Sequence, residues 1–366
     1  MIETITLRGY MGHTETVVPC QPLTVLIGEN AAGKTSVLEG VATARDCLHD
    51  SLRNKSLRAR KHRRAEGVSL RVDVSAGGGR ASVSITMPSG KNYRTDIDAE
   101  FSLDGVVRRM AWTSSENDGL RADEWQFLVD AAFPRPTWLT LEPNQLARPS
   151  QPQSVNPRPD ASGFGLASAL AHLKLSDTVR FTRIVEHLRA VVPLVRDIRF
   201  QRMEQEKLIP RTVNVDGKQV EFQDKVPTIA DALLFDFADA SEVPAHLVSE
   251  GTLLTLGIMT MLEYEKGLSL LLIDDIDRAL HPRAQRALVA TLRAILAQQP
   301  NLQVLATSHS PYLIDAFSPE EVVLLGRNAE NAIVAKRLDA FPDERLRKML
   351  SSGELWMSQG DDWVGR

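Results

Sequence analysis

Residues 23–39 read LTVLIGENAAGKTSVLE. A short apolar strand runs into a loop, and the loop opens an amphipathic helix. The loop GENAAGKT, Gly28 to Thr35, fits the phosphate-binding pattern G-x-x-x-x-G-K-[ST]. Each fixed position has a chemical reason. Gly28 and Gly33 carry no β-carbon, so the backbone can wrap closely around phosphate oxygens. The N–H groups of the loop and of the helix N-terminus face the anion, which makes Glu29, Asn30, Ala31, Ala32 and Ser36 part of the nucleotide-binding segment. Lys34 sets a full charge against the terminal phosphates, and the Thr35 hydroxyl is placed to ligate Mg²⁺. The expected ligand is therefore ATP with Mg²⁺. A chance Gly-containing turn would not arrive with both the strand and the helix around it.

Composition bounds the rest. A chain of 366 residues is long enough for two lobes at about 150 residues each. Apolar content of 43% and charged content of 25% are those of an ordinary globular protein. The net charge of −4 gives no global sign of nucleic-acid binding, so any such site must be a local patch. Cys20 and Cys47 form neither a metal-ligand spacing nor a disulfide framework, which suits a reducing cytosol and gives a cytoplasmic expectation. The N-terminus MIETITLRGY lacks a signal pattern, and the longest apolar run, LSLLLI at 268–273, is too short to span a membrane.

Outward from the loop, residues 2–8 and 15–18 read as strands, and the helix after the loop is expected over 34–52. The run RNKSLRARKHRR at 53–64 holds seven cations and no acid. Arg60, Lys61, Arg63 and Arg64 can neutralise nucleic-acid phosphates, while the same run fits a solvated helix end equally well. Residues 68–112 alternate between turn signals, as an antiparallel meander does. Helix is expected over 120–133 and strand over 138–141. A Pro-, Ser- and Asn-rich segment at 143–159 reads as a surface loop or a lid, and 162–192 has helical periodicity. More strands follow around a DG turn to about 240. No heptad run marks an extended coiled-coil arm.

From 243 helices alternate with apolar strands, as in an α/β core. LLLIDD at 270–275 supplies the acidic partner that a phosphate loop requires. A buried strand delivers Asp274 to hold the Mg²⁺ site, and Asp275 to orient or deprotonate an attacking water. His309 in TSHS follows strand LQVLA, a position that lines the crevice of open α/β sheets, where it can donate to a γ-phosphate or position the water. In SEGT at 249–252, Ser249 caps a helix N-terminus and Gly251 permits close approach.

The order of phosphate loop, SEGT helix, strand with paired acids, and strand with His resembles the ATP-binding-cassette ATPases. Within them it is similar to the RecF, OLD and SMC-type branch. The forms GENAAGKTS, VSEGTLLTLGI, LLLIDDIDRALHP and LATSHSPYL carry the resemblance over about 1–45 and 240–326. It implies a P-loop NTPase of α/β class, an ABC-ATPase head with an antiparallel β lobe and a helical and β insertion. The divisions would be an N-terminal ATPase lobe over 1–140, an insertion over 141–242 and a C-terminal ATPase lobe over 243–366.

The resemblance further implies a head-to-tail homodimer. Each ATP would lie between the loop of one protomer and Ser249, Gly251 and Thr252 of the other. Lys34 and Thr35 would bind phosphate and Mg²⁺, Asp274 would be the Walker B acid, Asp275 would stand where the catalytic Glu usually does, and His309 would be the switch histidine. Gln145, after WLTLEPN, is the candidate for a further contact to Mg²⁺ or water. Four positions depart from the branch: Ala31 replaces a common Gly, Asp275 a Glu, Met11 an Arg that reaches toward the nucleotide, and His281 the usual D-loop Asp. OLD proteins proper continue into a nuclease domain. Only 57 residues follow His309, so no nuclease activity is expected.

These features give an ATPase switch in a DNA-linked process of genome defence or repair, acting with a nuclease-like or other effector protein, and with DNA as a possible ligand. Two other classes share the motifs. One is a scaffold that binds ATP with little turnover. The other is a transporter subunit, against which stand SEGT in place of an LSGGQ-like signature and the large insertion.

Overall fold

The computed structural model describes residues 1–50, 67–76, 79–88, 96–103, 106–112, 133–215, 218–264 and 267–365. The basic run at 53–64 and all but the last residue of the helix expected over 120–133 lie outside the described residues. The described chain forms two compact units, Met1–Leu139 with Gly267–Arg366, and Thr140–Lys266. The first unit takes in both the expected N-terminal lobe and most of the expected C-terminal lobe. The helix that carries Gly251 and Thr252 clusters with the middle of the chain instead of with the C-terminal strands.

The first unit holds two sheets. One is antiparallel, with order β2 (His13–Pro19), β1 (Ile2–Tyr10), β4 (Gly67–Ala76), β5 (Gly79–Pro88), β6 (Asp96–Leu103) and β7 (Val106–Trp112). The other has order β15 (Ile333–Arg337), β14 (Val322–Arg327), β3 (Leu23–Ile27), β13 (Gln303–Thr307), β12 (Leu270–Ile273) and β8 (Pro136–Leu139). Its strands run parallel except β15, which returns antiparallel to β14. Every residue of β3, β12 and β13 is buried, which explains why these strands are apolar on both faces, with only Thr24, Gln303 and Thr307 as polar members. Helix α1 (Lys34–Asp50) packs Val37, Leu38, Val41 and Ala44 into one core with Ile5, Leu7, Leu70 and Val72 of the antiparallel sheet and Leu26, Leu272 and Leu305 of the parallel one.

A buried glutamine joins the two sheets. Gln303 Nε2 donates to the carbonyls of Ile2 (2.8 Å) and Gln21 (3.0 Å), and its Oε1 accepts from the Ile2 N–H (2.8 Å). This buried amide meets its hydrogen-bonding needs through the start of β1 and the turn before β3.

The second unit holds α2 (Pro143–Leu146), α3 (Leu166–Ser176), α4 (Thr178–Val191) and α5 (Glu250–Tyr264), with an antiparallel sheet of β11 (Val243–Pro244), β10 (Lys218–Phe237) and β9 (Val195–Val215). The helical periodicity over 162–192 resolves into two helices. Asp177 leaves helical geometry at φ −147°, and its carboxylate accepts from the Arg180 N–H to start α4. The loop expected over 143–159 contains α2 and is fixed at Ser150, which exchanges backbone hydrogen bonds with Asp231 at 2.9 and 3.0 Å. β9 and β10 pair over 21 and 20 residues as one long ribbon, where the sequence suggested several shorter strands. Helix α5 is apolar nearly all round and packs against α4, with Arg183 and Glu263 ion-paired at 2.9 Å.

Replacing Gln303 by Leu should take this partner from the buried Ile2 N–H and carbonyl, while the Gln21 carbonyl keeps the Thr24 hydroxyl. We expect a loss of about 3 kcal/mol in unfolding free energy, read from the urea midpoint. An unchanged midpoint would show that the clip between the sheets contributes nothing.

Candidate functional site

The carboxyl ends of three adjacent parallel strands build the site. β13 lies between β3 and β12, with Ala306 beside both Val25 and Ile273. One residue past that row β12 releases Asp274 and Thr307 closes β13, and three residues past it β3 releases Gly28. The register alone therefore brings the loop, the acids and the TSHS turn to one edge.

The loop backbone tolerates few residue types. Gly28 has φ 149°, and a Cβ there would sit 2.1 Å from the Leu325 carbonyl oxygen of β14. Gly33 has φ 89°, and a Cβ there would lie 2.7 Å from the His13 ring and 2.9 Å from Ile333. Ala31 has φ 63°, in the left-handed region. A Cβ there costs roughly 1–2 kcal/mol, which is why glycine is the easier residue and why Ala31 marks strain.

The charged groups interlock. Lys34 is buried, and its Nζ donates to the carbonyls of Gly28 and Glu29, both at 2.9 Å, with His309 Nδ1 at 3.5 Å. Burial lowers its pKa, against the attraction of Asp275, Asp274 and Asp277. Thr35 Oγ1 donates to both carboxylate oxygens of Asp274 at 3.1 Å. Asp275 has φ 50°, and its Oδ1 lies 3.8 Å from His309 Nε2. Its pKa is raised, first by burial, then by Asp274 and Asp277, with His309 and Lys34 opposing. A carboxylate so shifted is a better proton acceptor.

Sequence reasoning missed the residue that fixes this pair of acids. The Thr307 hydroxyl donates to Asp274 Oδ1 at 2.6 Å and accepts from the Asp275 N–H at 2.8 Å. Its only signal was its place at the end of an apolar strand.

The donor set fits Mg²⁺. Thr35 and Asp274 are hard oxygen ligands in mutual contact, and among the described residues no group of three or more His, Cys, Asp or Glu could hold a metal ion. Mg²⁺ is ordinarily held in this way, by one or two protein oxygens completed by phosphate and water.

A family model described as "AAA domain, putative AbiEii toxin, Type IV TA system" matches residues 23–315. The chain belongs to this family. Its fold is that of an SMC head: the SMC head solved with the C-winged helix domain of ScpA superposes with TM-score 0.57 and 11% identity, covering 95% of this chain and 99% of that one. The Septu protein PtuA of Bacillus thuringiensis is 33% identical over 69 residues, 19% of this chain and 17% of that protein's length. The P-loop class and the AAA-type ATPase fold expected from the motifs are thus in place, and the fold is shared with an SMC head. Among the described residues, no helix is long and apolar enough to cross a membrane.

The remaining sequence candidates of this AAA-domain chain belong to its second unit or to turns of the first. In the second unit, Ser249 Oγ pairs with Thr252 Oγ1 at 2.8 Å and accepts from the Thr252 N–H at 3.4 Å, so the cap read from SEGT is present ahead of α5. Gly251 lies buried in the first turn. Gln145 lies half-buried in α2, its N–H donating to the Glu142 carbonyl at 2.9 Å. In the first unit, His281 caps α6 (Pro282–Gln298), its Nδ1 accepting from the Arg283 N–H. Met11 has φ 44° in the turn between β1 and β2 and packs on the core. Arg60, Lys61, Arg63 and Arg64 lie outside the described residues.

A second residue that sequence reasoning missed lies behind the loop. His13 is buried on β2, with Nδ1 2.9 Å from Thr16 Oγ1 and Nε2 3.2 Å from the Gly33 carbonyl oxygen. Thr16 Oγ1 in turn donates to the Ile333 carbonyl at 2.7 Å. Burial pushes the His13 pKa down to about 4, with the Gly33 carbonyl opposing and the Arg327 charge assisting. A histidine in an alternating strand gives no hint of this role.

Two outcomes follow from this geometry. His13 binds its proton more weakly when folded, near pH 4, than when unfolded, near 6.5. Its contribution is therefore complete above pH 6.5 and is lost as pH falls from 6.5 toward 4, by about 3 kcal/mol. Denaturant midpoints across that range should fall less steeply in His13→Gln than in the unchanged protein. Thr307→Val, nearly isosteric, should lower nucleotide hydrolysis at least about tenfold by freeing both acids, with little change in ATP affinity. Equal turnover would remove Thr307 from the site.

Proposed function

We propose that this chain binds and hydrolyses ATP with Mg²⁺, and that hydrolysis switches a head-to-tail homodimer working with a separate effector in genome defence. The observation that carries the reading is the convergence of Lys34, Thr35, Asp274, Asp275 and His309, from three strand ends, within hydrogen-bonding or ion-pairing reach. Lys34 and the loop N–H groups hold the β- and γ-phosphates. Asp275 accepts a proton from water as the water oxygen bonds to the γ-phosphorus, and the bond from that phosphorus to the bridging oxygen breaks to release ADP. His309, against Asp275, orients the water and donates to the γ-phosphoryl oxygens. Bound through Thr35 and Asp274, Mg²⁺ would neutralise the phosphate charge that grows as the bond breaks.

The dimer follows from the resemblance to cassette ATPases, which implies that Ser249, Gly251 and Thr252 of one protomer cap the ATP of the other. The capped N-terminus of α5 suits that task, since helix N-terminal N–H groups favour phosphate. The defence setting is supported by the family description and by the stretch shared with Septu PtuA. The effector, a direct DNA contact through Arg60, Lys61, Arg63 and Arg64, Gln145 as a further Mg²⁺ or water contact, and the cytoplasmic location belong to the same proposal. A second reading, an ATP-holding scaffold with little turnover, is favoured by Asp275, whose carboxylate is one methylene shorter than glutamate.

Asp275→Asn should lower turnover by about 10²–10⁴-fold while ATP still binds, and should trap the ATP-bound dimer in light scattering. A variant that stays monomeric with ATP would overturn the sandwich. Unchanged turnover would overturn Asp275 as the base.

A further inference from the structure

The tip of the phosphate loop meets a side chain that the mechanism above leaves unused. β14 ends at Arg327 and turns through 328–332 into β15. The turn is firmly built. Asn328 Oδ1 accepts from the N–H groups of Glu330 (3.1 Å) and Ala332 (2.9 Å), and Asn331 sits at φ 62°. Arg327 Nη1 donates to the Asn331 carbonyl at 3.0 Å, and Nη2 donates across to the Ala31 carbonyl at 3.2 Å. The guanidinium fork thus ties a rigid turn to the one residue of the loop whose side chain opposes its backbone conformation.

The connection runs further. The peptide between Ala31 and Ala32 is held at both ends, its carbonyl by Arg327 and its N–H by the Glu29 carbonyl at 3.2 Å. That same Glu29 carbonyl accepts from Lys34 Nζ. One chain of hydrogen bonds therefore leads from Arg327 through the strained peptide to an acceptor of the phosphate-binding lysine. Met11, packed on the core, supplies no cation here, whereas Arg327 brings one from a different strand.

We propose that Arg327 is a positioning residue of the nucleotide site, which holds the Ala31 peptide so that the loop is in its phosphate-binding shape before ATP arrives. The inference rests on the reading of the loop as an ATP site. Without Arg327 only a fraction of molecules carries the competent loop, and apparent affinity falls by that fraction while turnover of bound ATP does not.

The test is calorimetric binding of MgATP, with steady-state kinetics, on the unchanged chain, Arg327→Ala, Arg327→Lys, Ala31→Gly and the double variant Ala31→Gly/Arg327→Ala. Nucleotide-free melting temperatures serve as the check on folding. Arg327→Ala should weaken ATP binding about tenfold and leave kcat within about twofold. Arg327→Lys, keeping the charge without the fork, should recover part of the affinity. In the Ala31→Gly background the loss should shrink to about threefold or less, because glycine adopts φ near 60° unaided. ATP affinity unchanged in Arg327→Ala would overturn the proposal. So would a tenfold loss that persists with Gly at 31, which would put the guanidinium on the nucleotide itself. Failure of the unchanged chain to bind MgATP would overturn the ATP-site reading, a result separable from any effect at Arg327.

Discussion

The buried ammonium of Lys34, held between the carbonyls of Gly28 and Glu29, is the interaction on which the site depends. Taking an ammonium out of water costs several kcal/mol unless polar partners replace the lost solvation. Here two loop carbonyls do so, and three nearby carboxylates add attraction. The consequence is geometric. Carbonyls drawn toward Lys34 fix the turn of the loop, and that turn carries the glycines into conformations that only glycine takes easily. Leu325 and Ile333 press on the same two glycines from behind. The loop is thus clamped from within by a charge and from outside by β14 and β15.

The acids depend on a different constraint, strand order. Because β13 separates β3 from β12, the hydroxyl of Thr307 stands between the loop side and the acid side of the crevice. A single hydroxyl acts as donor to one Asp side chain and acceptor from the backbone of the next. Asp274 can then receive Thr35 without turning away. Neighbouring carboxylates repel, and the raised pKa of Asp275 records that repulsion together with its burial. Fixed hydrogen bonds keep the pair together despite it.

What was legible in the sequence was whatever local pattern carries. The buried strands, the loop, the paired acids, His309 and the SEGT cap all have signatures within a few residues. The strands of the β9–β10 ribbon were read around their DG turn, but their length was not, because Gln201, Arg202, Met203, Glu204 and Glu206 are all exposed and leave no alternation of burial to read. The break at Asp177 was hidden because apolar periodicity continues across it. His13 and Thr307 were invisible for another reason. Their partners are 20 and 33 residues away, and neither a histidine in an alternating strand nor a threonine ending an apolar one announces its polar contact. Arg327 lies further still from its partner Ala31, and only the fold makes them neighbours.

Two of the four departures from the branch pattern acquire a common physical sense. Ala31 and Asp275 both occupy left-handed backbone, at φ 63° and 50°. At 275 the short acid suits the conformation, since Asp enters that region more readily than longer side chains. The turn it permits directs the Asp275 N–H to Thr307, so the shorter carboxylate belongs to the same arrangement that fixes Asp274. At 31 no such side-chain advantage exists, because alanine has nothing to hydrogen-bond. The conformation there must be held by neighbours, and the Ala31 carbonyl and the Ala32 N–H are the groups that neighbours grip. Strain at one position is thus balanced by the residue's own chemistry, and at the other by a bond within the loop and by Arg327 from outside it. A loop stabilised from outside responds to what its supports do. The turn at 328–332 and the strand that carries His13 are therefore as much a part of this site as the motif that first reveals it.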